Sequence, residues 1–433
     1  MAIDRSNTLP NGLLLGWKDD KHGKAVPIWD TNREGHLITV APTGAGKGVS
    51  CAIPALLTWH GPAIVIDPRG ENYAVTADRR RAVGHLVHRL DPFGVAGPSH
   101  SADSLNPMDL IDPDADDFED NAAVVAQLCR QDMLDTRSPY WDERATALIT
   151  KIICAHFRHR PRRRPILHDV QVTLQNAPDT SRHHRALSPP RVHMSEHAPA
   201  LPGVDLQAIL SSAEFASGRT LSCIVSAANS HLGFLRSPAA HSSIADSTIQ
   251  LDDITGGAMH TIYLIIPPDK LVTHSSLLRL WIGVMLAAIA RRRRAPKQPT
   301  LFLIDEAAQL GEMNELRSAL TLMRAYGVRV WTFWQCISQL QNIYPSDWSS
   351  IINNSSVQMF FGARAPHSRK LLADFLGDAM PARCLRQNQQ LLFNGDDFAP
   401  VRRANYLTDT LLSGLAAPHP FHTAANNLPV ALH

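Results

Sequence analysis

Paired cysteines are missing from this chain. Its six, at positions 51, 129, 154, 223, 336 and 384, never come closer than 25 residues. That spacing offers no metal or disulfide framework and suits idle thiols in a reducing cytoplasm. A charge excess of one sign is missing too. With 42 basic and 40 acidic side chains the formal net charge is +2, so contact with nucleic acid has to come from local patches. The longest apolar run, Leu280 to Ala290, has 11 residues between Arg279 and Arg291–Arg294, whereas a bilayer span needs roughly 20. The amino-terminal stretch, with Asp4, Arg5 and a turn at Pro10-Asn11-Gly12, lacks the charged and apolar regions of a signal peptide. The expectation is a cytoplasmic protein without a transmembrane segment, held at the inner membrane, if at all, through partners.

What is present is enough material for two domains: 433 residues, 44% of them hydrophobic. An apolar run, Leu37 to Ala41, leads into Pro42-Thr43-Gly44-Ala45-Gly46-Lys47-Gly48 and then a helix-like stretch from Val49. Strand, glycine-rich turn and helix together make a phosphate-binding loop. Backbone N–H groups of residues 42–49 converge on phosphates, and Lys47 reaches the β- and γ-oxygens. The loop departs from the strict pattern twice. Ala41 replaces the first glycine, and Gly48 stands where a Ser or Thr hydroxyl normally ligates Mg²⁺. Water, Thr43 or Ser50 could fill that place, and the sequence does not choose. Far along the chain, Leu301-Phe-Leu-Ile-Asp305-Glu306 reads as a buried strand ending in two carboxylates. Asp305 is placed to hold Mg²⁺, and Glu306 to activate a water. A lone glycine-rich turn could be only a turn; both parts together say ATPase.

Short buried strands are expected at His36–Ala41, Ala63–Asp67, Leu86–Leu90, Thr261–Ile266, Leu301–Ile304, Val328–Trp334, Val357–Phe361 and Gln390–Phe393. Between Gly94 and Thr261 the texture changes. Tyr140 to Phe157 carries Trp141, Ala145, Leu148, Ile149, Ile152 and Ile153 on one stripe, and Gln175 to Pro202 reads as a polar exposed loop. The expected fold class is α/β: a mostly parallel core with an all-α domain inserted between its early strands. The expected boundaries are 1–97 and 255–433 for the two parts of a nucleotide-binding domain, and 98–254 for the insertion.

Several further segments follow in order: VIDPRGENY (65–73), HRLDPFG (88–94), LNPMD (105–109), PYWDERATAL (139–148), LIIPPDK (264–270), LFLIDEAAQLG (301–311), RAYGVRV (324–330), WQCISQL (334–340) and FFGA (360–363). With APTGAGKG (41–48), this series resembles the type IV coupling proteins, the ring ATPases of bacterial conjugation and type IV secretion. The resemblance covers about residues 12 to 410. It implies a hexameric RecA-type motor using ATP and Mg²⁺, with an inserted all-α domain. It also implies DNA, a relaxase or effector protein, and secretion-channel components as partners. Typical members begin with two transmembrane helices, which this sequence does not show.

The same resemblance makes Arg324 an arginine that reaches across the subunit interface to the neighbour's γ-phosphate; a surface helix salt bridge is the other reading. Gln335, ending the next strand, orients the attacking water, reports nucleotide state to DNA-contacting loops, or merely caps the strand. Asp67, Arg69 and Glu71 follow the second strand at its carboxyl edge, and Arg364 and Arg369 are further candidates for nucleotide or interface. Arginine clusters at 79–81, 158–164 and 291–294 suit phosphate backbones or a solvated face. Two functional readings stand. One is a translocase moving single- or double-stranded DNA; the other is a nucleotide-dependent docking receptor with little motor activity.

Overall fold

Continuous apolar runs become the middle of a sheet with eleven strands among the described residues. In chain order the strands are β1 (Leu13–Asp19), β2 (Ala25–Asp30), β3 (His36–Val40), β4 (Ala63–Ile66), β5 (Leu86–Leu90), β6 (His260–Leu264), β7 (Thr300–Ile304), β8 (Val328–Trp334), β9 (Ser355–Phe361), β10 (Gln389–Asn394) and β11 (Phe398–Arg402). The computed structural model describes residues 9–32, 34–130, 139–159, 163–176, 204, 206–210, 219–362, 373, 375, 385–386, 388–395 and 398–421. Arg364, Arg369 and most of the polar stretch 175–202 therefore lie outside the described residues.

Across the sheet the order is β2-β1-β11-β10-β9-β3-β8-β7-β4-β6-β5. From β9 to β5 neighbours run parallel, and from β2 to β9 they run antiparallel. Strands β3, β4, β6, β7 and β8 are buried along their whole length. That is why their sequences are runs of Val, Ile, Leu and Phe without polar alternation. The exception inside β8 is Arg329, fully buried, which pairs with Asp30 and donates to the Gly35 carbonyl at 2.8 Å. Trp331 and Phe333 stack at 5.2 Å beside it, and the Trp331 indole donates to Thr39 Oγ1 at 2.9 Å, fastening β8 to β3.

Contact density divides the chain into two units. One holds Met1–Ala102, Asp252–Val272 and Ala288–His433; the other holds Asp103–Leu251 and Thr273–Ala287. The second carries no strand among its described residues. Its long helix, Pro139–Arg158, buries Ala145, Leu148, Ile149, Ile152 and Ile153 completely, while Trp141 is only half-buried. The segment 273–287, expected in the nucleotide-binding part, groups with this helical unit. It belongs to the helix Pro268–Ala290, which approaches Leu128 so closely that a Cβ at Gly283 would stand 2.1 Å from a Leu128 methyl.

That helix bears on the expectation of no membrane-spanning segment. The apolar run from Leu280 is part of a 23-residue helix long and apolar enough to cross a bilayer by composition alone. Two observations make it a core helix: 67% of its most apolar window is buried inside the protein, and its backbone breaks at His274 (φ −125°, ψ 17°). The unbroken part after His274 spans about 24 Å, short of the ~30 Å hydrocarbon layer.

Candidate nucleotide-binding site

At the carboxyl end of β3 the chain makes the glycine-rich turn. Gly44 and Gly46 take left-handed backbones (φ 72° and 88°), which fold residues 42–47 back over the strand end. Ala45 N–H donates to the Pro42 carbonyl at 3.1 Å, and Ser50 N–H to the Gly46 carbonyl at 2.9 Å, starting the helical stretch Gly48–Thr58. A Cβ built on Gly44 or Gly48 would meet no heavy atom within 4 Å, so the face of the loop is open space. Thr43 and Gly44 are exposed, Pro42, Ala45, Gly46, Gly48 and Val49 are half-buried, and Lys47 is buried. The geometry fits a phosphate seated on N–H groups at a helix start.

Strand order brings the second motif to this loop. β8 lies between β3 and β7, and Ala41 N–H donates to the Trp334 carbonyl at 2.9 Å, so Gln335 emerges beside the phosphate loop. Residues 305 and 306 follow β7 on the same edge. The Lys47 ammonium donates to Glu306 Oε1 at 3.2 Å and to the Ala41 carbonyl at 3.4 Å. The Gln335 amide donates to Glu306 Oε2 at 3.0 Å, leaving both carboxylate oxygens engaged. Glu306 is the one non-glycine residue with a left-handed backbone among the described residues (φ 58°, ψ 52°). Such a conformation costs on the order of 1 kcal/mol or more and aims the side chain across the strand ends.

Asp305 sits one residue earlier and deeper. Burial raises its carboxyl to about 6, the Glu306 charge adding to the rise while Lys47 and Arg69 oppose it. Its Oδ1 is buried and accepts no hydrogen bond from the described residues. The register Ile66↔Ile304 sets Asp67 alongside, fully buried, its carboxyl pushed by burial to about 7. Asp67 accepts from Tyr73 N–H at 2.8 Å and from the Asn72 amide at 3.4 Å, so it also ties down the start of the helix Glu71–Ala82. An orphaned carboxylate oxygen beside a second buried carboxyl fits a divalent cation, which would hold both ionised. Gly48 offers no hydroxyl to it. Ser50 is buried and Thr43 exposed, and neither is directed there by a bond.

Lys47, Asp305, Glu306 and Gln335 are thus brought together. Arg324 is not with them. It precedes β8 while Gln335 follows it, so about 20 Å of strand separates the two. Arg324 lies exposed in the turn Met323–Tyr326 and donates to Glu34 at 2.6 Å. Arg69, also exposed, pairs with Glu71 at 3.2 Å.

The arginine clusters divide between buried braces (Arg79, Arg80, Arg292) and exposed charges, Arg81, Arg158, Arg164, Arg291, Arg293 and Arg294 among them. Arg80 is fully buried, donating to the carbonyls of Trp59, Gly61 (2.6 Å) and Leu56 (3.4 Å) and to Thr261 Oγ1 (2.8 Å). Arg292 donates to the carbonyls of Thr255, Ile254 and Tyr326. Arg158 pairs with Glu119, Arg163 with Asp169 and Arg164 with Asp109. Sequence reasoning missed Arg403, which follows β11 and donates to the Ala45 carbonyl at 2.5 Å in the phosphate loop. No motif marks it; only the antiparallel pairing of β10 and β11 with the core brings it there.

Comparison with known proteins agrees with this geometry. The family described as "Type IV secretory system Conjugative DNA transfer" matches residues 6–380. The chain is 24% identical over 374 residues to an Escherichia coli conjugal transfer protein TraG, covering 80% of this chain and 56% of that one. It is 22% identical over 378 residues to VirD4 of Agrobacterium fabrum, covering 85% and 54%. The chain spans about half the length of the curated relatives it matches. Among solved structures, the unbound bacterial conjugative coupling protein TrwB superposes with a TM-score of 0.68 at 16% identity, over 92% of this chain and 90% of that one. TrwB in complex with ADP and Mg²⁺ gives 0.65 at 17% identity, over 89% of each chain. The fold is accordingly the RecA-type P-loop core with a helical domain. With the phosphate loop, the paired carboxylates and the strand order all present, the chain belongs to the type IV secretory conjugative DNA-transfer family, that of the type IV coupling proteins.

Proposed function

We propose that this chain is an ATP-hydrolysing ring motor that recruits DNA or a nucleoprotein and drives it toward a conjugation or type IV secretion channel. The observation that carries the reading is the Lys47–Glu306–Gln335 cluster beside the orphaned Asp305 oxygen. Loop N–H groups of residues 42–49 seat the phosphates, and Lys47 leaves Glu306 to pair with the β- and γ-oxygens. Glu306, so released, accepts a proton from the attacking water, and the Gln335 amide orients that water. Asp305, with Asp67 behind it, would hold Mg²⁺, which when bound would neutralise charge on the phosphate oxygens. TrwB complexes with ADP, Mg²⁺ and an ATP analogue support these ligands for the present chain.

Arg324 acts in trans. Exposed at the amino edge of its own sheet, it serves the site of a neighbouring copy in a homo-oligomer, a hexamer when active. The sheet-bearing unit is the nucleotide-binding domain, and the helical unit is the insertion. Working at the cytoplasmic face of the inner membrane, the ring meets single- or double-stranded DNA, a relaxase or effector, and channel components. Gly48 favours a second reading, a nucleotide-dependent docking receptor with slow hydrolysis, because it gives the metal no hydroxyl. ATPase rate against protein concentration, with and without single-stranded DNA and alongside mass in solution, separates them. The motor requires a rate that rises with assembly and with DNA; a low, DNA-indifferent rate in assembled rings would establish the receptor.

A further inference from the structure

The segment after β11 grips the phosphate loop from outside. The Arg403 guanidinium donates to the Ala45 carbonyl at 2.5 Å and lies over the Phe361 ring, 4.6 Å from its centroid. Its own backbone N–H donates to the Asn388 carbonyl at 2.8 Å, so the arginine is anchored to the β10–β11 hairpin. Three residues on, Tyr406 N–H donates to the Val49 carbonyl at 3.4 Å. Ala404, Tyr406 and Leu412 pack with Ile53 and Leu57 of the helix that the loop begins. One short stretch of chain therefore touches the loop and the first turns of its helix.

The contact at Ala45 has a directional consequence. In a planar trans peptide the C=O of Ala45 and the N–H of Gly46 point opposite ways, and no cis peptide occurs among the described residues. Drawing the Ala45 oxygen toward Arg403 turns the Gly46 N–H the opposite way, away from the guanidinium. No acceptor among the described residues takes that N–H, and the left-handed Gly46 backbone (φ 88°) lets the peptide hold this setting. Without the guanidinium the Ala45–Gly46 peptide is free to rotate, and an anion then has to bear the cost of ordering it.

We infer that Arg403 is a positioning residue for the nucleotide's phosphates, which fixes the Ala45–Gly46 peptide so that its N–H faces the anion. The inference rests on the nucleotide reading above and adds the carboxyl-terminal hairpin to the machinery of that site. Because Arg403 acts through the loop, it contributes alike to every nucleotide carrying a β-phosphate. A direct contact with the terminal phosphate would instead favour ATP over ADP.

The test is calorimetric titration of the full chain with ADP, with a non-hydrolysable ATP analogue and with adenosine, all with Mg²⁺. The variants are Arg403→Met, which keeps the stem over Phe361 but removes the donors, and Arg403→Lys, which restores one. Arg403→Met should raise the Kd for ADP and for the ATP analogue by the same factor, about tenfold, the scale of a charge-assisted hydrogen bond. Arg403→Lys should recover part of that loss, and adenosine binding should be unchanged. A merely structural arginine would lower the melting temperature and leave both Kd values alone. Unchanged Kd values in Arg403→Met, or a loss confined to the ATP analogue, overturn the inference while the nucleotide reading stands. If the unmodified chain binds neither nucleotide, that reading falls and the inference with it. Should Arg403→Met not fold, Arg403→Lys decides: equal weakening for both nucleotides sustains the inference, and none overturns it.

Discussion

Glu306 is held in place by two donors and by a backbone that costs energy to maintain, so its substitutions separate binding from chemistry. Glu306→Gln removes the anion that competes with phosphate for Lys47. It should bind ATP at least as tightly as the unmodified chain and lose hydrolysis by about 10²-fold or more. Lys47→Ala should fail to bind, with an unchanged melting profile within about 1 kcal/mol, because Lys47 serves the loop rather than the core. Equilibrium binding and phosphate release on the two variants check both, and a Glu306→Gln that cannot bind ATP would make Glu306 structural. Another residue reports through pH. His36 is buried and accepts from Val330 N–H at 3.1 Å, and burial, with Arg329 and Arg324 nearby, lowers its imidazole to about 4. Native His36 thus binds fewer protons than the unfolded chain, so its stabilisation is complete above the unfolded pKa and is lost as pH falls toward 4. Between pH 6.5 and 5 the loss is about 2 kcal/mol. Asp67 and Asp305, raised to about 7 and 6, run the opposite way, their contribution falling as pH rises. The measurement is therefore a signed difference: the urea midpoint at pH 5 minus that at pH 7.5 should be more positive in His36→Gln than in the unmodified chain.

At the scale of elements, legibility followed burial. The parallel strands β3, β4, β6, β7 and β8 were readable because their two-sided burial writes itself as largely apolar sequence. Strands β1, β2 and β11 were not. Gly16 interrupts β1, and Pro27 and Pro400 stand inside β2 and β11, where proline ordinarily argues against a central strand. All three lie in the antiparallel flank, and no local pattern in β11 announces that it carries Arg403 to the loop. The site was legible where its chemistry is local, in Lys47 and in Asp305-Glu306. It was opaque where distant segments meet, as at Arg403 and at Arg80. Arg80 closes the carboxyl end of the helix Ile53–Thr58 from the neighbouring helix Glu71–Ala82, with Arg79 donating to the Leu57 carbonyl at 3.3 Å. No carboxylate pairs with Arg80 among the described residues, and burial lowers its guanidinium to about 10. Carbonyls are thus its function in the fold. Arg80→Met should cost about 2–4 kcal/mol by stranding them, read as a lower urea midpoint. A neutral outcome would mean that the desolvation cost of the buried charge cancels its bonds.

The whole molecule is where Arg324 has meaning. If it completes a neighbour's site, specific activity rises with protein concentration as copies assemble. Arg324→Ala should then bind ATP yet be nearly inactive, and mixing it with Glu306→Gln should restore activity at interfaces that pair an intact Glu306 with an intact Arg324. Concentration-independent turnover in a verified monomer, without rescue on mixing, would return Arg324 to its surface pairing with Glu34. The sheet order carries one more consequence, for the making of the protein. The phosphate-loop strand β3 has β8 and β9 as its neighbours, and β1 is joined to β11 through Trp17 and Arg402. Almost three hundred residues separate β3 from the first of its partners. At ribosomal speeds that is roughly 15–60 s during which the loop has been synthesised and has no sheet to sit on. Nascent chains released before β8 emerges should bind no nucleotide, and the unpaired β3 edge makes that interval the period of greatest exposure to aggregation.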